Sequence, residues 1–240
     1  MRRSNRLACL AFLAATAIFG GGGTARGAII TQYAFTGATL NRSATTVDGN
    51  VTAGNITDSP TVNGNATSVL IRTNGVGYPS EVLSAARANF NESSVRANVF
   101  FTFTVSPNAG MELDLSSLTF NVAQGGGTAS TRDYEVRSSV DNFATSLTNI
   151  VLIPTVRPTF TPVSVTLSAA PFQNLTAPVT FQVRFFTPGV SQNVDFDDIT
   201  LNGTVSAVPE PHGLAMLSAA CAWMLRRRPL RSAEASTASA

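Results

Sequence analysis

Apolar and polar residues alternate with a period of two over most of the chain's interior. Between residues 28 and 207 there is neither a heptad pattern nor a long amphipathic helical run. In Val99-Phe100-Phe101-Thr102-Phe103-Thr104-Val105 the odd positions form an apolar face. Leu118, Phe120 and Val122 alternate with Thr119 and Asn121, and Tyr134, Val136 and Val140 with Asp133, Glu135 and Arg137. Val179, Phe181, Val183 and Phe185 alternate with Thr180, Gln182 and Arg184. Ile199, Leu201 and Val205 alternate with Thr200, Asn202 and Thr204. Each stretch predicts a strand with one buried and one wet face, as in antiparallel sheets. An opening strand near Ile29 to Phe35 and two more near Ile150 to Ile153 and Val163 to Leu167 bring the count to about eight.

Turn chemistry separates these runs at Ser106-Pro107-Asn108-Ala109-Gly110, at Gln124-Gly125-Gly126-Gly127, at Thr187-Pro188-Gly189 and at Pro154, Pro158 and Pro162. About eight strands so spaced predict an all-β fold, an antiparallel β-sandwich of jelly-roll-like form. Residues 41–77 are poor in large apolar side chains and predict long loops with a strand or two, and Glu81 to Ala88 predict one short helix.

The two ends have a different composition. Arg2, Arg3 and Arg6 precede an apolar run from Leu7 to Phe19, followed by Gly20 to Gly23 and then Ala25-Arg26-Gly27. A basic start, a short apolar stretch and small residues before the join define a secretory signal peptide over residues 1–27, a helix cleaved between Gly27 and Ala28. An uncleaved signal anchor is the alternative, although the stretch falls short of the roughly 20 residues of a spanning helix. Cys9 sits near the start of the run, where it reads as a small apolar residue.

At the other end, Val208-Pro209-Glu210-Pro211 is followed by an apolar run from Gly213 to Leu225 and by Arg226-Arg227-Arg228. This tripartite order resembles the PEP-CTERM sorting signal, also catalogued as the ice-binding protein C-terminal domain. The resemblance implies an exported protein with a C-terminal hydrophobic helix over residues 208–228, held briefly at the inner membrane. It further implies recognition by an exosortase-type transpeptidase, with Val208 to Pro211 as the sorting motif and the Arg cluster on the cytoplasmic side. Physically, the prolines keep the motif extended and the arginines hold their end inside. The apolar run is short for a crossing, a tail of residues 229–240 follows the arginines, and a disordered tail with an incidental apolar stretch is the plainer alternative.

The interior resembles the β-sandwich domain often found in planctomycete PEP-CTERM proteins. Phe101 to Val105, Leu113 to Phe120, Tyr134 to Asp141 and Phe196 to Gly203 carry the likeness, which spans residues 95–206. It implies a fold and a location, and no activity.

Charge and composition narrow the chemistry. Charged residues make up 12% of the chain, against roughly 25% in an ordinary soluble domain, and all 16 basic residues are Arg. The two ends hold eight Arg and two Glu, so residues 28–207 keep 8 Arg against 12 carboxylates, a net of −4. An acidic domain without a basic patch is a poor partner for nucleic acid.

His212, Trp223, Cys9 and Cys221 all lie in the ends, so residues 28–207 contain no His, Cys or Trp. That excludes a Ser-His-Asp triad, a Cys-His pair and imidazole or thiolate metal ligands from the domain. The expected function is a non-enzymatic structural or adhesive module of the envelope or extracellular matrix. The alternative is a carbohydrate- or calcium-binding lectin-like module, and the third reading is a carboxylate-based glycan hydrolase.

Asp195-Phe196-Asp197-Asp198 is the one acidic cluster and the candidate calcium site, with Asp195 expected in a turn, Asp197 facing Ile199's side and Asp198 outward. Solvated strand-end hydrogen bonding is the plainer account of the cluster. Tyr78, within Gly75-Val76-Gly77-Tyr78-Pro79, is the candidate for stacking on a ligand, and exopolysaccharide the candidate partner. Tyr134 is expected in the core, and Phe100 and Phe186 on wet faces.

Overall fold

The computed structural model describes residues 27–35, 41–59, 70–73, 83–86, 99–125, 131–188 and 192–208. The proposed signal helix, Tyr78, and the Pro209–Arg228 part of the sorting signal lie outside them. Among the described residues no helix is long and apolar enough to cross a membrane.

Among the described residues thirteen strands follow in order: β1 (Ala28–Tyr33), β2 (Thr46–Val47), β3 (Val51–Ala53), β4 (Thr57–Asp58), β5 (Leu70–Thr73), β6 (Leu83–Ala86) and β7 (Phe100–Pro107). They continue with β8 (Met111–Gly125), β9 (Asp133–Ser138), β10 (Val151–Leu152), β11 (Thr161–Thr166), β12 (Val179–Phe186) and β13 (Asn193–Ala207). The first begins at Ala28 and the last ends at Ala207.

Two sheets result. One has the order β11-β8-β13-β1-β2, with β6 joining β13 and β5 joining β6; the other has the order β10-β9-β12-β7-β3, with β4 also on β7. All pairings between these strands are antiparallel. From β7 to β9 and from β11 to β13 each strand crosses to the opposite sheet. The order β1-β13-β8-β11 facing β7-β12-β9-β10 is that of a jelly-roll-like sandwich.

The sheets are joined by aromatic side chains on the predicted inner faces. Phe196 of β13 is fully buried and meets Phe101, Phe120, Tyr134 and Phe185, with centroids 5.1, 5.9, 6.4 and 6.5 Å away. Tyr33 of β1 meets Phe103 of β7, which stacks on Phe181 of β12. Such pairs contribute about 0.5–1.5 kcal/mol beyond their buried area. Burial pushes the phenols of Tyr33 and Tyr134 up to about 12, as expected for rings placed inside. In the β7–β8 connection Gly110 adopts φ +79, in the left-handed region that glycine enters without steric cost.

Three local expectations are corrected. Leu83–Ala86, expected as helix, is a strand, because pairing with both β13 and β5 outweighs the helical leaning of its alanines. The described residues of 41–77 hold four short strands, β2 to β5, where a strand or two was expected. The outer face of the second sheet is less wet than the alternation suggests: Asp133, Glu135, Gln182 and Phe186 are all buried, while Phe100 is half-buried.

Candidate functional site

The acidic cluster resolves into two unlike parts. Asp195 does not lie in a turn; it lies within β13, paired to Ala123 and Ser84. Its carboxylate is 0% exposed and accepts a bond from Arg157 Nη1 at 2.7 Å. Arg132, also buried, donates from Nη1 to the carbonyls of Gly125 and Asn193, and burial lowers its pKa while Asp195 counters that. A Cβ on Gly125 would come within 1.9 Å of Asp195 Oδ2, so the missing side chain at 125 makes room for the carboxylate. Asp195 is therefore committed to a buried ion pair at the end of β13.

Asp197 and Asp198 sit at a β-bulge. The β13–β8 register shifts between Asp197 and Thr200, and Asp198 takes φ +49. The bulge falls where the neighbour of β13 changes from β6, which pairs with 194–196, to β1, which pairs with 199–203. Because the extra residue resets the alternation, Phe196 and Ile199 both point inward and Asp197 lies on the outer face. This corrects the expected inward placement of Asp197, while Asp198 is exposed as expected. Among the described residues no three His, Cys, Asp or Glu side chains come together as a metal-holding group. Calcium is bound through six to eight oxygens, and the cluster does not assemble even three carboxylates.

The bulge borders a groove of about 560 Å³ on the outer face of the first sheet, within the range of small-ligand sites. Its floor follows from register. Ser164 of β11, Thr119 of β8, Thr200 of β13 and Gln32 of β1 are successive cross-strand partners, and Thr46 of β2 extends the row. Directly opposed residues point to one face, so five polar side chains line up across five strands. At about 4.8 Å per strand the row spans roughly 19 Å. A second row, one pleat away, runs Pro162, Asn121, Asp197. Asp198, Val163 and Phe120 complete the lining.

Several of these groups are available to a ligand. The side chains of Gln32, Asn121 and Ser164 make no hydrogen bond among the described residues, whereas Thr200 Oγ1 donates to Asp198 O at 3.0 Å. Asp198 donates its N–H to Asp197 Oδ1 at 2.9 Å, leaving its own carboxylate at the groove. Burial, with the charge of Asp198 added, pushes the Asp197 carboxyl up to about 6.

The opposite outer face offers less. Arg137 clamps Glu135 through Nε and Nη2 at 2.8 and 3.1 Å, and its Nη1 donates to the carbonyls of Phe143 and Ala144. Arg184 donates to Gln182 and Glu135. Burial works against the Glu135 charge, but the two arginines outweigh it and hold its pKa low. The hydroxyls of Thr57 and Thr102, and of Thr104 and Thr180, pair with each other at 2.8 Å. That face is largely committed to its own side chains.

Neither a family model nor a curated protein matches the chain. Similar solved structures include the CBM22-1 xylan-binding domain of Xyn10C from Paenibacillus barcinonensis, at 10% identity and a TM-score of 0.40, covering 74% of this chain and 96% of that one. The K3 adhesin domain of Lys-gingipain from Porphyromonas gingivalis gives 18% identity and a TM-score of 0.42, covering 73% and 99%. The family 11 carbohydrate-binding module of Clostridium thermocellum, in complex with a mixed-linked tetrasaccharide, gives 9% and 0.36, covering 74% and 98%. All three likenesses are distant.

Proposed function

We propose that this is an exported, non-enzymatic polysaccharide-binding protein, sorted through its Pro-Glu-Pro signal and displayed or released at the cell surface or in the matrix. Its glycan contact is the outer-face groove of the β11-β8-β13-β1 sheet. The observation that carries the reading is the transverse row Ser164, Thr119, Thr200, Gln32, with Asn121 and Asp198 beside it. Sugar hydroxyls both donate and accept, and this lining supplies hydroxyl, amide and carboxylate partners in turn. A strand step is close to the advance per residue of an extended β-linked sugar chain, so a chain laid across the strands meets a fresh polar group at each unit. Binding to matrix polysaccharide is also an adhesive role, and joins the two readings drawn from the sequence.

Among the described residues no Trp or Tyr lines the groove, which favours modest affinity. Affinity electrophoresis of the full chain through gels cast with soluble β-glucan, xylan or chitosan tests the reading. At least one polysaccharide should retard the protein, and Gln32→Ala with Asn121→Ala should abolish retardation while leaving the melting temperature within about 2 °C. Retardation unaffected by that pair would remove the groove from the account.

A further inference from the structure

The groove carries charge of one sign. Asp198 lines it, and Asp197 follows Asn121 in the second row of the same face. Neither is in an ion pair among the described residues, and the arginines whose side chains are described are held elsewhere. Arg42 pairs with Asp58, Arg137 and Arg184 with Glu135, and Arg157 with Asp195; Arg132 is bound to two backbone carbonyls. The Asp198 carboxylate thus faces the ligand space without a described counter-charge, with Asp197 beside it; burial first, and then the charge of Asp198, raise the pKa of Asp197.

Resting on the glycan reading of this groove, we propose that its preferred ligand carries free amines: a glycan of deacetylated amino sugars, with Asp198 as the specificity-determining residue. An ammonium group brings three N–H donors and one positive charge. The groove lining offers acceptors for it in the Asp198 carboxylate, the Asn121 amide oxygen and the Ser164 hydroxyl. Calcium is the poorer match, since it takes six to eight oxygens and no cluster of three metal-holding side chains is present among the described residues. N-acetylation removes the charge from the sugar, and a uronic acid reverses it, so both lose the attraction and the second adds repulsion.

The bulge makes the test clean. Asp198 occupies the left-handed region, which Asn tolerates as well as Asp does, so Asp198→Asn removes the charge and keeps the turn. Isothermal titration of the full chain at about pH 6 compares hexamers of glucosamine, N-acetylglucosamine and galacturonic acid. The glucosamine hexamer should bind at least about tenfold more tightly than its N-acetylated counterpart, with the uronate weakest. Asp198→Asn, at an unchanged melting temperature, should bring the first two within about twofold. Equal binding of the amine and N-acetyl forms by the native protein, or a preference that survives Asp198→Asn, overturns the charge inference and leaves the glycan reading intact. Absence of binding by all three hexamers and by the neutral polysaccharides above overturns both.

Discussion

Replacing Asp195 by Asn separates a structural carboxylate from a metal ligand. The carboxylate is fully buried, its partner Arg157 is 7% exposed at the side chain, and their contact is 2.7 Å. Breaking a buried pair by removing one partner costs about 3–5 kcal/mol, because the remaining charge stays desolvated without compensation. Asn keeps the shape and one acceptor oxygen, which places the expected loss near the lower end, about 3 kcal/mol. For a domain of this size that lowers the melting temperature by about 6–12 °C. The assay is a thermal melt of the full chain with and without excess EDTA. The native protein and the variant should differ by that amount in both buffers, and EDTA should move neither. A shift below about 2 °C on substitution, or a fall in the native melt on adding EDTA, would refute the ion-pair account and return Asp195 to a cation site. Gly125→Ala should destabilise through the same contact, since its new Cβ competes with the Asp195 carboxylate for one position.

Three further outcomes follow from the packing, the bulge and the proposed sorting. Phe196→Ala removes the ring that four others surround and should cost about 3–5 kcal/mol by urea titration, whereas Phe100→Ala, half-buried on the outer face, should cost about 1 kcal/mol or less. Burial and the charge of Asp198 push the Asp197 carboxyl up to about 6 in the folded state, above the ordinary carboxylate range, so the native state binds more protons in that interval and stability falls as pH rises from about 4 to about 6. Asp197→Asn should flatten that slope and raise the melting temperature at pH 7; an unchanged slope contradicts the burial argument. Replacing Pro209, Glu210 and Pro211 by Ala should leave unprocessed protein in the membrane fraction, and unaltered processing would argue against the sorting assignment.

The alternation from Val99 to Val105 and from Val179 to Phe185 made β7 and β12 readable, because each strand buries all of its odd-numbered residues, although β12 buries Gln182 and Phe186 of its even face as well. Leu83–Ala86 was not readable, since its strand exists through two neighbours far along the chain. Asp195 was misplaced because the bulge at Asp197 and Asp198 breaks the period of two and hides the continuation of β13 back to Asn193. The outward positions of Thr119, Asn121 and Thr200 were legible. Their meeting with Gln32 and Ser164 was not, because it depends on the register of four strands drawn from distant parts of the chain. Neither residue type nor spacing announces such a row; the only sequence signal is a run of small polar residues on the wet side of several strands.

The central claim is that glycan contacts the first sheet's outer groove, and its most direct test is a chemical-shift titration of the isotope-labelled full chain with the tightest-binding oligosaccharide. The account predicts perturbations at Gln32, Thr119, Asn121, Ser164, Asp198 and Thr200, with Thr102, Thr104 and Gln182 on the opposite face unmoved. Shifts confined to Thr102, Thr104 and Gln182, or a saturating ligand that leaves the groove residues unchanged, would contradict it.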